Sequence, residues 1–427
     1  MSHIIWSFVE RSFPRVASAV LMLTLAALTS PDLVGIYAWA ALALTLVSAS
    51  SDAAVRQVIM TMFSSQASFE FFRRYRWTAA VAGTVAMLLV ILALALSNLD
   101  RPGTLGEVLN LLPMALVPAV LAWSVLHIGY LQLGNAWRTL AGTQFWAAFG
   151  SLLVTLPIMV ATGSLLAVAL QPLITEIIVA LIARSNALRL NEAEFIRNIP
   201  NRPTGNNEYW HATVLSVLGW FQSQADRLMV GLIGGTTLLG FFTPGWALGR
   251  TGAESLGLAS ANVMRSRMRE VESATLPQQL KSISGPLTMS AIAGLGVAII
   301  TVILSEWVIG PILGEEWRVS IDAASILAVS TPATAVSWSV TAALAGRGRL
   351  KWGSPSKLVG IAMSVLVAVA ALHSLEAAAW VVVAREWVVL FLVLIALKLG
   401  VPWMSMIVTA ATTVVAAGFA LLALEIS

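Results

Sequence analysis

Thirteen stretches of the chain are apolar for long enough to cross about 30 Å of hydrocarbon as a helix. They lie near 12–29, 34–62, 78–97, 107–133, 139–162, 164–185, 209–233, 236–264, 283–305, 319–345, 354–373, 377–397 and 402–424. A bilayer holds no water to satisfy a backbone N–H or C=O, so stretches of this length must close their own hydrogen bonds as helices. Composition agrees, with 58% of residues hydrophobic and 11% charged, against about 25% charged in soluble domains. The expected fold is all-α, a polytopic membrane helix bundle. Several stretches exceed a bilayer's thickness and must tilt or bend, and Pro113, Pro118 and Pro244 are natural places for a bend.

The 25 Lys and Arg residues set the orientation. Nineteen precede the first stretch or fall in alternate connections, among them Arg11, Arg15, Arg73, Arg138, Arg197, Arg265, Lys351 and Lys398, and only Arg101 and Arg318 fall in the others. Lys and Arg are retained on the cytoplasmic side, which places the N-terminus there and, after thirteen crossings, the C-terminus outside. Met1 to Arg15 includes Glu10 and leads to no small-residue cleavage site, so the first stretch reads as a retained helix. The net charge of +4 therefore reports membrane topology, and nucleic acid is not expected as a partner. Without cysteine, and with four histidines that lack ligand spacing, neither a disulfide nor a metal site is expected. No phosphate-binding loop, HExxH or nucleophile elbow occurs, so neither catalytic residues nor a cofactor are expected.

Two turns resemble each other. Leu28-Thr29-Ser30-Pro31-Asp32-Leu33-Val34-Gly35-Ile36-Tyr37 and Ile233-Gly234-Gly235-Thr236-Thr237-Leu238-Leu239-Gly240-Phe241 each run through a short polar link, aliphatics, a glycine and an aromatic. Their separation points to two related halves in parallel orientation. The one substantial connection, polar and carrying Pro200 and Pro203, divides them. The expected organisation is an N-terminal six-helix lobe at 1–185, a cytoplasmic linker at 186–208, a C-terminal six-helix lobe at 209–397 and an additional transmembrane helix at 398–427.

Four arginines lie within the stretches, Arg56, Arg227, Arg250 and Arg385, with five acids, Asp52, Glu176, Asp226, Glu254 and Glu386. Each costs about 2.5–3.5 kcal/mol to insert and so should face a partner or a water-filled space. Asp52 and Arg56, and Arg250 and Glu254, are spaced by four and share a helical face. On one reading Arg56 and Arg250 line a passage and attract an anionic headgroup, since a guanidinium fork fits phosphate oxygens. On the other, each pair neutralises itself and fastens helices together. Adjacent Asp226 and Arg227 must face different ways, and Arg385-Glu386 and Glu176 suit pairing inside each lobe.

These residues resemble the bacterial polysaccharide or O-antigen flippases of the multidrug/oligosaccharidyl-lipid/polysaccharide exporter superfamily. The resemblance rests on Leu28-Thr29-Ser30-Pro31-Asp32 with Gly35-Ile36-Tyr37, on Asp226-Arg227-Leu228-Met229-Val230-Gly231 with Leu239-Gly240-Phe241-Phe242, and on Ile312-Leu313-Gly314-Glu315-Glu316-Trp317 with Ala345-Gly346-Arg347. It implies two pseudo-symmetric six-helix lobes around a central cavity. It also implies alternating access and a polyprenyl-diphosphate-linked oligosaccharide carried from the cytoplasmic to the outer leaflet of a bacterial plasma (inner) membrane. By position, Arg11, Arg15, Arg56 and Arg250, with Arg227 behind them, become the diphosphate-binding candidates, and Asp52, Asp226 and Glu254 the residues that tune charge or couple an ion. Expected partners are the lipid-linked glycan, membrane lipids, and a glycan polymerase or glycosyltransferases. The thirteenth helix and Phe242, in place of the family's tyrosine, depart from its pattern. Two rival expectations stand beside this one, a proton- or sodium-coupled multidrug antiporter of the same superfamily and a non-transporting scaffold for glycan enzymes.

Overall fold

A computed structural model describes residues 2–50, 66–133, 136–189, 206–270, 275–346, 354–397 and 402–426. Its elements are α1 (Ser2–Leu28), α2 (Pro31–Ser48), α3 (Gln66–Leu96), α4 (Pro102–Leu109), α5 (Val117–Leu133), α6 (Trp137–Thr162) and α7 (Leu165–Arg189). There follow α8 (Asn206–Glu270), α9 (Leu276–Ile303), α10 (Arg318–Ala328), α11 (Thr331–Gly346), α12 (Ser354–Ala371), α13 (Leu375–Leu397) and α14 (Trp403–Ile426). No strand occurs among the described residues. Among the described residues nine helices are long and apolar enough to cross a membrane, and α10 and α11 together form a further passage bent by 50°. With the two arms of α8 counted separately and two shorter apolar helices added, the 13 expected passages are present.

The turn between the seventh and eighth passages rests on one residue. Gly235 has φ 79° and ψ −174° inside α8 and divides it into two arms, a backbone state that a side chain would strain. Gly314, at φ 83°, turns the chain just before Trp317. There the two sequence markers of the C-terminal half meet: the Phe241 and Trp317 rings lie 5.5 Å apart, and Ser320 Oγ donates to the Phe241 carbonyl at 2.6 Å.

Packing resolves two compact units, Val9–Gln224 and Ala225–Ser427 with His3–Phe8. The division falls within the first arm of α8, later in the chain than the polar connection at 186–208. Trp220 Nε1 donates to Thr45 Oγ1 at 3.0 Å within the first unit, whereas Asp226 is bound by Arg385 within the second. In the first unit α5 and α6 both pack on α7, and α3 packs on α5. The buried start of α7 needs partners for its free N–H groups. Glu107 supplies them, accepting from Leu165 N at 2.8 Å and Ser164 Oγ at 2.9 Å. Glu107→Ala should therefore lower stability by about 1–2 kcal/mol, with Glu107→Gln losing less, as read by thermal unfolding of the purified protein in detergent.

In the second unit α9 packs along α11 and α14, and α13 along α10, α11 and α12. The thirteenth passage is part of this core: Ala416, Ala420 and Ala423 of α14 share one buried cluster with Phe242 and Trp246. Glycines on the second arm of α8 bring it close to α10. A methyl group on Gly249 would lie 2.6 Å from Leu327 Cβ and 2.7 Å from the Ala324 carbonyl oxygen, and one on Gly245 would collide with the Ser320 carbonyl. Small residues at such spacing let helix backbones approach where lipid offers no hydrophobic drive for association.

Candidate functional site

The most charged place in the interior of the second unit lies midway along α13. Arg385 and Glu386 sit there on adjacent positions, 3% and 6% exposed. Arg385 donates through Nη1 to Asp226 Oδ1 on the first arm of α8 and to Ser364 Oγ on α12 at 3.2 Å, and through Nη2 to Glu386 Oε1 at 2.7 Å. Glu386 Oε1 also accepts from Arg250 Nη2 at 3.1 Å, and its Oε2 accepts from Thr334 Oγ1 at 3.3 Å. Arg250 Nη1 donates to Ser330 Oγ at 3.0 Å and Thr334 Oγ1 at 3.1 Å. Two guanidinium groups and two carboxylates thus neutralise one another, and the hydroxyls of Ser330, Thr334 and Ser364 accept further bonds from the terminal nitrogens. That is the condition for keeping charge inside a low-dielectric interior.

The pairing of Arg385 with Glu386 inside one half is as the sequence suggests, and Asp226 joins it from α8 as a partner the sequence did not indicate. The partner of Arg250 is different from the expected one. It is Glu386, 136 positions away, and its terminal nitrogens are committed to Glu386, Ser330 and Thr334. Glu254, one turn further along the same arm, is buried.

Asp226 and Arg227 diverge as neighbours on a helix must. Asp226 is 1% exposed and turned toward Arg385, whereas half-buried Arg227 lies over the Trp246 ring, its guanidinium carbon 4.2 Å from the centroid. Trp246 is buried and its Nε1 has no hydrogen-bond partner among the described residues. In the first unit Arg15 is half-buried on α1. One turn on, Ser18 Oγ donates to Gln171 Oε1 at 3.4 Å, and Gln171 Nε2 donates to Thr175 Oγ1 at 3.3 Å, a polar seam between α1 and α7. Asp52 and Arg56 lie outside the described residues, as does the side chain of Arg11.

The sequence reading passed over Ser330, Thr334, Ser364 and Trp246. A signal was present: the tenth stretch carries Ser320, Ser325, Ser330, Thr331, Thr334, Ser337 and Ser339 among its apolar residues, too many hydroxyls for a plain anchor. It also passed over a second charged group near Gly314, where Arg318 pairs with Asp322 at 2.9 Å and Glu306 at 3.2 Å, and Ser325 Oγ donates to Glu306 at 2.5 Å.

Comparison with known proteins places this arrangement. The profile of the polysaccharide biosynthesis protein family matches residues 24–322. No curated protein sequence matches. Among solved structures the chain is similar to the lipid II flippase MurJ in an inward closed conformation, with TM-score 0.66, 9% identity, and 99% of this chain and 97% of that one covered. It is also similar to an inward-facing multidrug resistance MATE family transporter, with TM-score 0.63, 12% identity and 95% and 98% covered. A third match is a transporter of the same superfamily from Pyrococcus furiosus, whose binding pocket is described as having reverse polarity, with TM-score 0.59, 14% identity and 95% and 94% covered. These structures share the fold, and they are transporters and flippases rather than enzymes. The chain belongs to the polysaccharide biosynthesis protein family.

Proposed function

We propose that this protein flips a polyprenyl-diphosphate-linked oligosaccharide from the cytoplasmic to the outer leaflet of a bacterial plasma membrane by alternating access, for cell-surface polysaccharide synthesis. The observation that carries the reading is the match to a polysaccharide biosynthesis family over residues 24–322, on a fold it shares with a lipid II flippase. The one-sided distribution of Lys and Arg supports a cytoplasmic N-terminus and an outward C-terminus. Partners on this reading are the lipid-linked glycan, the surrounding lipids, and the glycosyltransferases and polymerase that make and consume the glycan.

The geometry redistributes the roles of the arginines. Arg250 serves the internal network, so on this reading the candidates for holding diphosphate are Arg227 in the second unit and, separately, Arg15, Arg11 and Arg56 in the first. A guanidinium fork fits phosphate oxygens, and the Trp246 ring steadies that of Arg227. Likeness to multidrug transporters supports a second reading, cation-coupled antiport. It is the weaker one, because Asp226 and Glu386 are each engaged by arginine.

The test is depletion of the protein in its host, with mass spectrometry of polyprenyl-diphosphate glycans and measurement of surface polysaccharide. One complete lipid-linked unit should accumulate while its surface polymer disappears. Wild type should reverse both effects, and Arg227→Ala should rescue about tenfold less well, the equivalent of about 1.4 kcal/mol of lost headgroup binding. An unchanged lipid pool with normal surface polymer would remove this reading.

A further inference from the structure

We propose that the tenth membrane passage is a jointed helix, held at Val329-Ser330 by Arg250 in this structure, and that the joint is released and remade during transport. The inference concerns how the second unit moves, and it rests on the transporter reading above. The passage is not one rod: α10 ends at Ala328, α11 starts at Thr331, and the two are bent by 50°. The local cause is Pro332, which has no N–H to donate and crowds the carbonyl one turn back. Beside it Ser330 folds back on the preceding turn, its N and its Oγ both donating to the Leu327 carbonyl, at 3.0 and 2.7 Å.

Arg250 spans this break. Its Nη1 bonds Ser330 at the joint and Thr334 in the first turn of α11 at once. Its Nη2 is anchored on Glu386, which accepts from Thr334 as well. One guanidinium therefore sets the position of α11 relative to the joint, and the lock consists of hydrogen bonds to hydroxyls, which can exchange one acceptor for another without moving charge into lipid.

Two further observations mark the joint as having another arrangement. Thr331 Oγ1 is completely buried with no hydrogen-bond partner among the described residues, and Arg250 Nε is likewise without one. Each buried orphan costs about 1–3 kcal/mol, and such groups are rare unless another state satisfies them. The neighbours are also shaped for sliding. Gly249 faces Ala324 and Leu327 on one side of the joint, and on the other a methyl on Gly294 of α9 would lie 2.7 Å from Pro332 Cα. At Gly294 backbone meets backbone, and at Gly249 the nearest atoms are Leu327 Cβ and the Ala324 carbonyl, so neither glycine offers a side chain of its own to interdigitate and block a shift.

The test exploits a chain without native cysteine. Thr331→Cys is introduced into the full-length protein in lipid nanodiscs and its reaction with N-ethylmaleimide is timed, with Ser339→Cys, equally buried two turns further along α11, as the control for general loosening. In the background Ser330→Ala with Thr334→Val, which removes the lock but keeps its shape and leaves Arg250 and Glu386 paired, labelling of Thr331→Cys should rise about tenfold while Ser339→Cys stays unreactive. The same unlocked background, without added cysteine, should rescue surface polysaccharide poorly in depleted cells. Equal labelling of the two sites in both backgrounds would overturn the joint. Raised labelling with full rescue would overturn its part in transport. Labelling requires no cargo, so failure of the flippase reading would show in the lipid pool and leave this measurement standing.

Discussion

Arg385→Met should sharply reduce the amount of folded protein in the membrane, the largest effect expected of any single substitution in the second unit. Arg385 is the shared cation between Asp226 and Glu386, and its loss leaves two buried carboxylates with only Arg250 to answer them. Breaking a buried ion pair by removing one partner costs about 3–5 kcal/mol, because the remaining charge stays uncompensated. The pairwise nature of the damage makes it repairable. Asp226→Asn combined with Arg385→Met leaves Glu386 with Arg250, one charge of each sign, and should recover more than half of the lost stability. Membrane yield and unfolding temperature of the single and double variants decide the point. A single variant as stable as wild type would mean that the cluster contributes nothing to holding α8, α12 and α13 together.

The second large effect is expected from one methyl group. Gly249→Ala places a Cβ inside contact distance of both Leu327 and the Ala324 carbonyl, so α8 and α10 must separate, at a cost of about 1–3 kcal/mol for overpacking. Gly296→Ala supplies the contrast. It lies on exposed α9 surface with nothing within 4 Å of the added carbon, and alanine there should gain about 0.5–1 kcal/mol from helix propensity. Thermal unfolding of the two variants side by side separates close helix packing from the general cost of altering a helical glycine. Equal shifts in both would show that the Gly249 contact is not part of the packing.

The helices were readable because lipid imposes a simple rule: a run of apolar residues of bilayer length must be helical, whatever its neighbours do. The break at Gly235 was readable for a related reason, since glycine beside a short polar link ends a helix without tertiary help. What escaped the sequence were partnerships. Arg250 and Glu254 look like a pair because helical periodicity sets them on one face, yet Arg250 reaches across to Glu386. Asp226 and Arg385 are 159 positions apart, and only the packing of α8 beside α13 brings them together. The bend after Ala328 was hidden for another reason: Pro332 stands inside an unbroken apolar stretch, and hydropathy does not register the loss of one backbone donor. Asp52 and Arg56, the other pair expected from spacing, lie outside the described residues.

The balance of the cluster has an electrical consequence. A single charge carried across a membrane potential exchanges about 2.3 kcal/mol per 100 mV with the field. Asp226, Glu386, Arg250 and Arg385 are tied to one another, and their formal charges sum to zero. Displacement of the four together along the membrane normal therefore does no net electrical work. A displacement that carries these four residues together takes no gating charge from them, and their share of its free energy is the same in a polarised membrane as in a depolarised one.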